Sequence, residues 1–119
     1  MSEIRANTVS DAAGTGPVTL TGQSAAKAWA SISSAPAINA SLNTSSVTDN
    51  GTGQFQPNWT TAFASTSYAP ISMASGTSLT PYFNSWYGKT TSSVSTATAE
   101  HANVLVDQAL EIAAHGDLA

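Results

Sequence analysis

The sequence predicts a mainly β domain, and two observations carry that expectation. The stretch Ser41 to Phe63 reads as two strands joined by the glycine-containing loop Thr48 to Gln54. Leu42 and Thr44 lie two apart on the way in, and Phe55, Pro57 and Trp59 lie two apart on the way out. That spacing puts side chains on one face of a strand. Between the arms, Asp49-Asn50-Gly51 and Gly53 tolerate positive φ, so the chain can reverse there with a bulge or a longer loop. The second observation lies downstream. Tyr68 to Ala74 alternates Ile71 and Met73 against small partners, and Thr80 to Tyr87 gathers Tyr82, Phe83, Trp86 and Tyr87. Both read as strands, with Gly76 marking the link and Gly88 the next break.

Taken in order, residues 1–18 hold Asn7, Ser10, Asp11, Gly14, Gly16 and Pro17 among small residues, too few of them large and apolar to form a face. They read as an extended N-terminal attachment arm that orders by lying along another subunit, or else as a frayed tail. Residues 19–119 are expected to form a single β-domain. In Gln23 to Trp29 the alanines favour a turn or two of helix, with Trp29 as an anchor in the core, and a strand through Ala28 to Ser33 can follow. Pro36 ends that element, and Ile38, Ala40 and Leu42 alternate into the first arm of the hairpin. Pro57 cannot donate to a ladder, which predicts an edge strand or a bulge. Ser92 to Thr98, serine and threonine around Val94, is a polar strand at most. At the C-terminus, Ala102, Leu105, Val106, Ala109, Leu110 and Ala113 follow helical spacing with Gly116 as a C-cap, while Leu110, Ile112 and Ala114 also alternate as a strand would. On periodicity the helix is favoured.

Composition narrows the function classes. The chain has 119 residues, 8% charged, with net charge −4, and its only cations are Arg5, Lys27 and Lys89. No basic patch exists to neutralise a phosphate backbone, so nucleic acid is not an expected partner. Without cysteine there is neither a disulfide framework nor a thiolate metal site. No apolar run approaches the roughly 20 residues of a membrane span, and MSEIRANTVSD has no apolar h-region, so neither membrane insertion nor a secretion signal is expected. Serine and threonine exceed a quarter of the residues while charge is scarce. So uncharged an exterior fits either a surface that touches neighbouring chains or a plain Ser/Thr-coated domain.

Three pieces of text carry a family resemblance. Ile4 to Asp11 with Gly14-Thr15-Gly16-Pro17 and Gln23 to Trp29, then Val47 to Gly53 with its aromatic-alternating strand, and finally His115-Gly116-Asp117-Leu118-Ala119 together resemble short tail-fibre-like virion structural proteins of tailed bacteriophages. The likeness spans nearly the whole chain. It implies a small antiparallel β-sandwich or barrel with an extended N-terminal arm and at most a short helix. It also implies a non-enzymatic virion protein of the tail or capsid surface, made in the host cytoplasm and sometimes facing a host receptor. Self-association, as a homotrimer, and contact with other virion proteins follow from it, with no cofactor; a C-terminal strand is preferred to a helix. Pro57 in the second hairpin strand, Glu111 in the terminal strand and His115 in place of an aromatic depart from the pattern.

Catalytic motifs do not emerge. His101 follows Glu100 and His115 precedes Asp117, yet neither has a usual metal-ligand spacing. No serine sits in Gly-x-Ser-x-Gly, and Gly14-Thr15-Gly16 lacks the lysine of a phosphate loop. Asn39, Asn43, Asn50 and Asn58 open formal glycosylation acceptors, which are not expected to carry glycans if, as the resemblance implies, the protein is made in bacterial cytoplasm. The site-like feature is aromatic. In a strand Tyr82 and Trp86 share one face and Phe83 and Tyr87 the other, so one pair is core and the other exposed. Tyr82, Trp86 and Tyr87 are the candidate residues for a receptor or subunit contact, and stacking on a host surface glycan is the alternative to assembly.

Overall fold

A computed structural model describes residues 2–3, 6, 12–13, 25–76 and 81–119. The arm expected over residues 1–18 lies almost entirely outside the described residues. Among the described residues nine strands follow one another: β1 (Ala28–Ile32), β2 (Ile38–Leu42), β3 (Thr44–Gly51), β4 (Gln54–Trp59), β5 (Ala69–Ser75), β6 (Phe83–Lys89), β7 (Val94–Glu100), β8 (Val104–Leu105) and β9 (Ala109–His115). All pairings are antiparallel. One sheet has the order β2-β1-β9-β5; the other has β3-β4-β7-β6, with β8 added to β7. The two sheets pack as a β-sandwich, so the mainly β expectation holds.

The core forms where the inward sets of the two sheets meet. Sheet one contributes Ala28, Ala30, Ile32, Leu110, Ile112 and Ala114, and the other contributes Phe55, Trp59 and Val94. Phe63 and Tyr68, in the connection from β4 to β5, close the end of this core: their rings stack at 4.1 Å, and Trp59 meets both edge-on. Thr96 and Thr98 are buried on β7 at no cost in lost hydrogen bonds, since Thr96 Oγ1 donates to Phe55 O at 2.9 Å and Asn84 Nδ2 donates to Thr98 Oγ1 at 2.7 Å. That pattern makes Val94 to Thr98 part of a central strand rather than a marginal one, with Ser92 and Ser93 just before it.

Several expectations need correction. Leu42 and Thr44 do not share a strand: Asn43 takes φ of 52°, and the chain crosses there from the first sheet to the second. Ala25 to Lys27 carry no helix, and Ala28 already opens β1. Trp29 is 39% exposed, because β1 turns its small residues inward toward a core already filled by aromatic rings. The terminal segment is not the helix its periodicity favoured; β9 is a central strand whose Leu110, Ile112 and Ala114 face inward between β1 and β5. Gly116 is no C-cap but a close approach, where a Cβ would lie 2.6 Å from Tyr68 Cβ. Gly88 does not end its strand; it follows a bulge, and β6 continues to Lys89. Pro57 is buried in a strand with neighbours on both sides. It is tolerated because β4 pairs with β7 only at Gln54 and Phe55 and again at the bridge from Asn58 to Ser93, which leaves Pro57 in a gap of the ladder.

Candidate functional site

The outward face of the first sheet leaves a row of large apolar side chains uncovered. Register places Leu42 opposite Trp29, Trp29 opposite Ala113, and Ala113 opposite Ile71, so one row of apolar side chains crosses all four strands. The next row runs Ala40, Ser31, Glu111, Met73. Ile71 and Met73 are 65% and 71% exposed. The cause is local: alternation obliges each strand to show one side-chain set to water when only one face is covered, and here the outward set includes large apolar residues. Small Ala113 leaves a trough of ≈ 400 Å³ lined by Trp29, Ile71, Met73 and Glu111. Ser31 Oγ donates to Glu111 Oε1 at 3.0 Å, which orients the carboxylate beside that trough.

The second sheet presents a different outer surface. Asn58 Nδ2 donates to Ser46 Oγ and Thr48 Oγ1, Gln56 Nε2 donates to Asn58 Oδ1, and Ser95 Oγ donates to Gln56 Oε1. These uncharged groups satisfy one another across β3, β4 and β7. The part of that face formed by β3, β4 and β7 is polar, and on β6 Phe83 and Tyr87 stand exposed beside it.

The three candidate aromatics do not assemble into one site. Tyr82 precedes β6 and is half-buried, its ring against the backbone of Gly76, where a Cβ would lie 2.9 Å from Tyr82 Cε2. Trp86 is 46% exposed, and its ring centroid lies 5.0 Å from Lys89 Nζ, which is also 5.0 Å from the Tyr68 ring and donates to Tyr68 O at 2.7 Å. Tyr87, at the β6 bulge, donates its hydroxyl to Gln54 Oε1 at 3.2 Å. Phe83, Trp86 and Tyr87 are all exposed, so neither strand-face pair forms core. Sequence reasoning missed the residues that do form a continuous surface, Trp29, Leu42, Ile71 and Met73. Their outward direction depends on register across four strands that are far apart in the chain.

Titratable chemistry is sparse. Among the described residues no three His, Asp or Glu side chains converge as a metal site would require, and no helix is long and apolar enough to cross a membrane. Burial pushes the Tyr68 hydroxyl pKa up, with the Trp59 hydrogen bond opposing that rise. A pocket of ≈ 200 Å³ beside Tyr68, lined by Ser65, Ser67, Gly116 and Asp117, holds no histidine or lysine to activate a serine. Compared with known proteins, the chain matches no family model, no curated protein and no solved structure. The resemblance to tail-fibre-like proteins therefore stands on the quoted sequence alone.

Proposed function

We propose that this protein is a non-enzymatic structural subunit that works by self-association, of the kind implied by its resemblance to tail-fibre-like phage proteins. The observation that supports this reading is the apolar row Leu42, Trp29, Ala113 and Ile71 across the outer face of the four-stranded sheet. Large exposed apolar faces are uncommon on monomers and mark contact surfaces. A chain with 8% charged residues has little else to keep that face solvated. The resemblance adds the finer terms of the proposal: three copies, mounting on the tail or capsid surface through residues 1–18, and contact with other virion proteins. Light scattering on the purified chain over a concentration series tests it. Mass above that of one chain is expected, and a monomer at every concentration overturns the reading.

One observation favours a second reading, a carbohydrate-binding module. Tyr87 is 54% exposed at the border of the amide-lined face and is held there by Gln54. An aromatic ring beside uncharged amides suits a sugar. In that case Tyr87→Ala abolishes retention on immobilised glycans and leaves the oligomer mass unchanged.

A further inference from the structure

We infer that Asn50 is a site of self-modification: in the folded protein its side-chain amide is attacked by the backbone nitrogen of Gly51 and is converted to a mixture of aspartyl and isoaspartyl residues. Water is the co-reactant, and the inference is independent of the self-association and glycan readings. The sequence supplies half of the argument. Attack closes a five-membered ring, and a side chain on the residue after the asparagine obstructs that closure. Asn50 is the one asparagine of the chain that is followed by glycine.

The structure supplies the other half, because closure also needs a loosely held side chain and a backbone that can turn. The ladder pairs Asp49 with Phe55 and Gly51 with Gln54, so Asn50 is the extra residue of a bulge and has no ladder partner on β4. Asp49, Asn50 and Gly51 are all exposed. The attacking N–H of Gly51 donates to Asp49 Oδ1 at 2.9 Å, a local turn at the surface that opens to water at little cost. Gly51 takes φ of 127°, where the absence of a side chain leaves its peptide free to swing. The Asn50 amide is lightly held, with Nδ2 at 3.4 Å from Gln56 Oε1. Other asparagines are tied down. Asn43 is bound at both ends of its amide to Thr61, at 2.6 and 3.0 Å; Asn58 contacts Ser46, Thr48 and Gln56; and Asn84 Nδ2 donates to Thr98 Oγ1 at 2.7 Å.

The reaction balances with no change of oxidation state. Attack needs Gly51 N within about 3–3.5 Å of Asn50 Cγ, which rotation of the unpaired Asn50 backbone supplies. The N–Cγ bond forms as the Cγ–Nδ2 bond breaks, and Nδ2 leaves as ammonia, the Gly51 amide proton passing through solvent. Water then opens the cyclic imide. Addition at Cγ restores the main chain and leaves an aspartyl side chain, whereas addition at the main-chain carbonyl routes the chain through Cγ and makes an isoaspartyl residue, one backbone atom longer. Either product carries a new negative charge beside Asp49. Gln56 Oε1, which also accepts from Ser95 Oγ at 3.0 Å, then faces a carboxylate where it had an amide donor. The polar face over β3, β4 and β7 thereby gains charge at one end as the protein ages.

Peptide mapping by mass spectrometry tests the inference on the full chain, aged in mildly alkaline buffer both folded and in urea. The peptide holding Asn50 is expected to gain about one mass unit, with isoaspartyl product present, at a folded-state rate within about tenfold of the unfolded one. Protection of the folded chain by more than about tenfold overturns the inference, as does earlier conversion of any other asparagine. Conversion to the aspartyl product alone overturns the ring route, since direct hydrolysis of the amide makes no isoaspartyl residue. Asn50→Gln requires a slower six-membered ring and is expected to abolish the acidic form seen on ion exchange. Persistence of that form in Asn50→Gln overturns the assignment to this residue.

Discussion

Tyr68 shows how one side chain can serve packing, polarity and the fold's closure together. Its ring stacks on Phe63 and lies under Lys89 Nζ, while its hydroxyl donates to Ser93 O at 2.8 Å and accepts from Trp59 Nε1 at 3.3 Å. Tyr68→Phe keeps the ring but strips Trp59 and Ser93 of their partner, and we expect a loss of about 1–3 kcal/mol in chemical denaturation. The pH dependence follows from the raised pKa. The native state holds the phenolic proton to higher pH than the unfolded chain does, so this contribution is full below the ordinary tyrosine value of about 10 and declines as pH rises beyond it. Unfolding curves from pH 8 to 11 should therefore fall more steeply for the native chain than for Tyr68→Phe. Equal slopes would show that the hydroxyl is ionised alike in both states.

The element whose geometry matters most is the corner between β2 and β3, because it transfers the chain from one sheet to the other. Asn43 takes left-handed φ, and its side chain accepts from Thr61 N at 2.6 Å and donates to Thr61 O at 3.0 Å, tying the corner to the end of β4. Asn43→Gly keeps the conformation and loses the two bonds; Asn43→Ala loses both the bonds and the conformational ease. Both should destabilise, alanine by about 1 kcal/mol more than glycine, as read by thermal melts. A glycine that proves no better than alanine would mean that strain at this corner is negligible. The hairpin after β3 has its own requirement. Gly53 at φ 70° leaves no room for a Cβ, which would lie 2.6 Å from Thr98 O, and its N–H donates to Asp107 Oδ1 at 2.6 Å. The turn residues Asp49, Asn50, Gly51 and Gly53 were legible as a reversal, because φ preference is a local property. The change of sheet at Asn43 was not legible, since a strand that continues and one that crosses over present the same alternation. Ambiguity at β9 has a similar origin: in Ala109–His115 alanine fits either period, and the choice fell to the free ladder edges of β1 and β5.

At the scale of the whole molecule, both sheets and the β4 to β5 connection share one core, so the domain should unfold as a unit. Leu110 is fully buried at its centre. Leu110→Ala is expected to cost about 2–5 kcal/mol and to lower Tm by about 10 °C or more in a single calorimetric transition. Two separate transitions would contradict a shared core. The same scale decides the exposed face on which the self-association proposal rests. Sequence alone determined that the chain is rich in strands, that Phe55, Pro57 and Trp59 lie together on one face, and that charge is too scarce to form an ionic surface. These depend on spacing and composition, which belong to the chain itself. Which face of each strand is covered was decided only by the tertiary structure. In β1 the sandwich buries Ala28 and Ala30 and leaves Trp29 outside, against what side-chain size suggests, because Trp59, Phe63 and Tyr68 already fill the shared interior. Alternation divides a strand into two sets, and only packing against another sheet selects the one that enters the core.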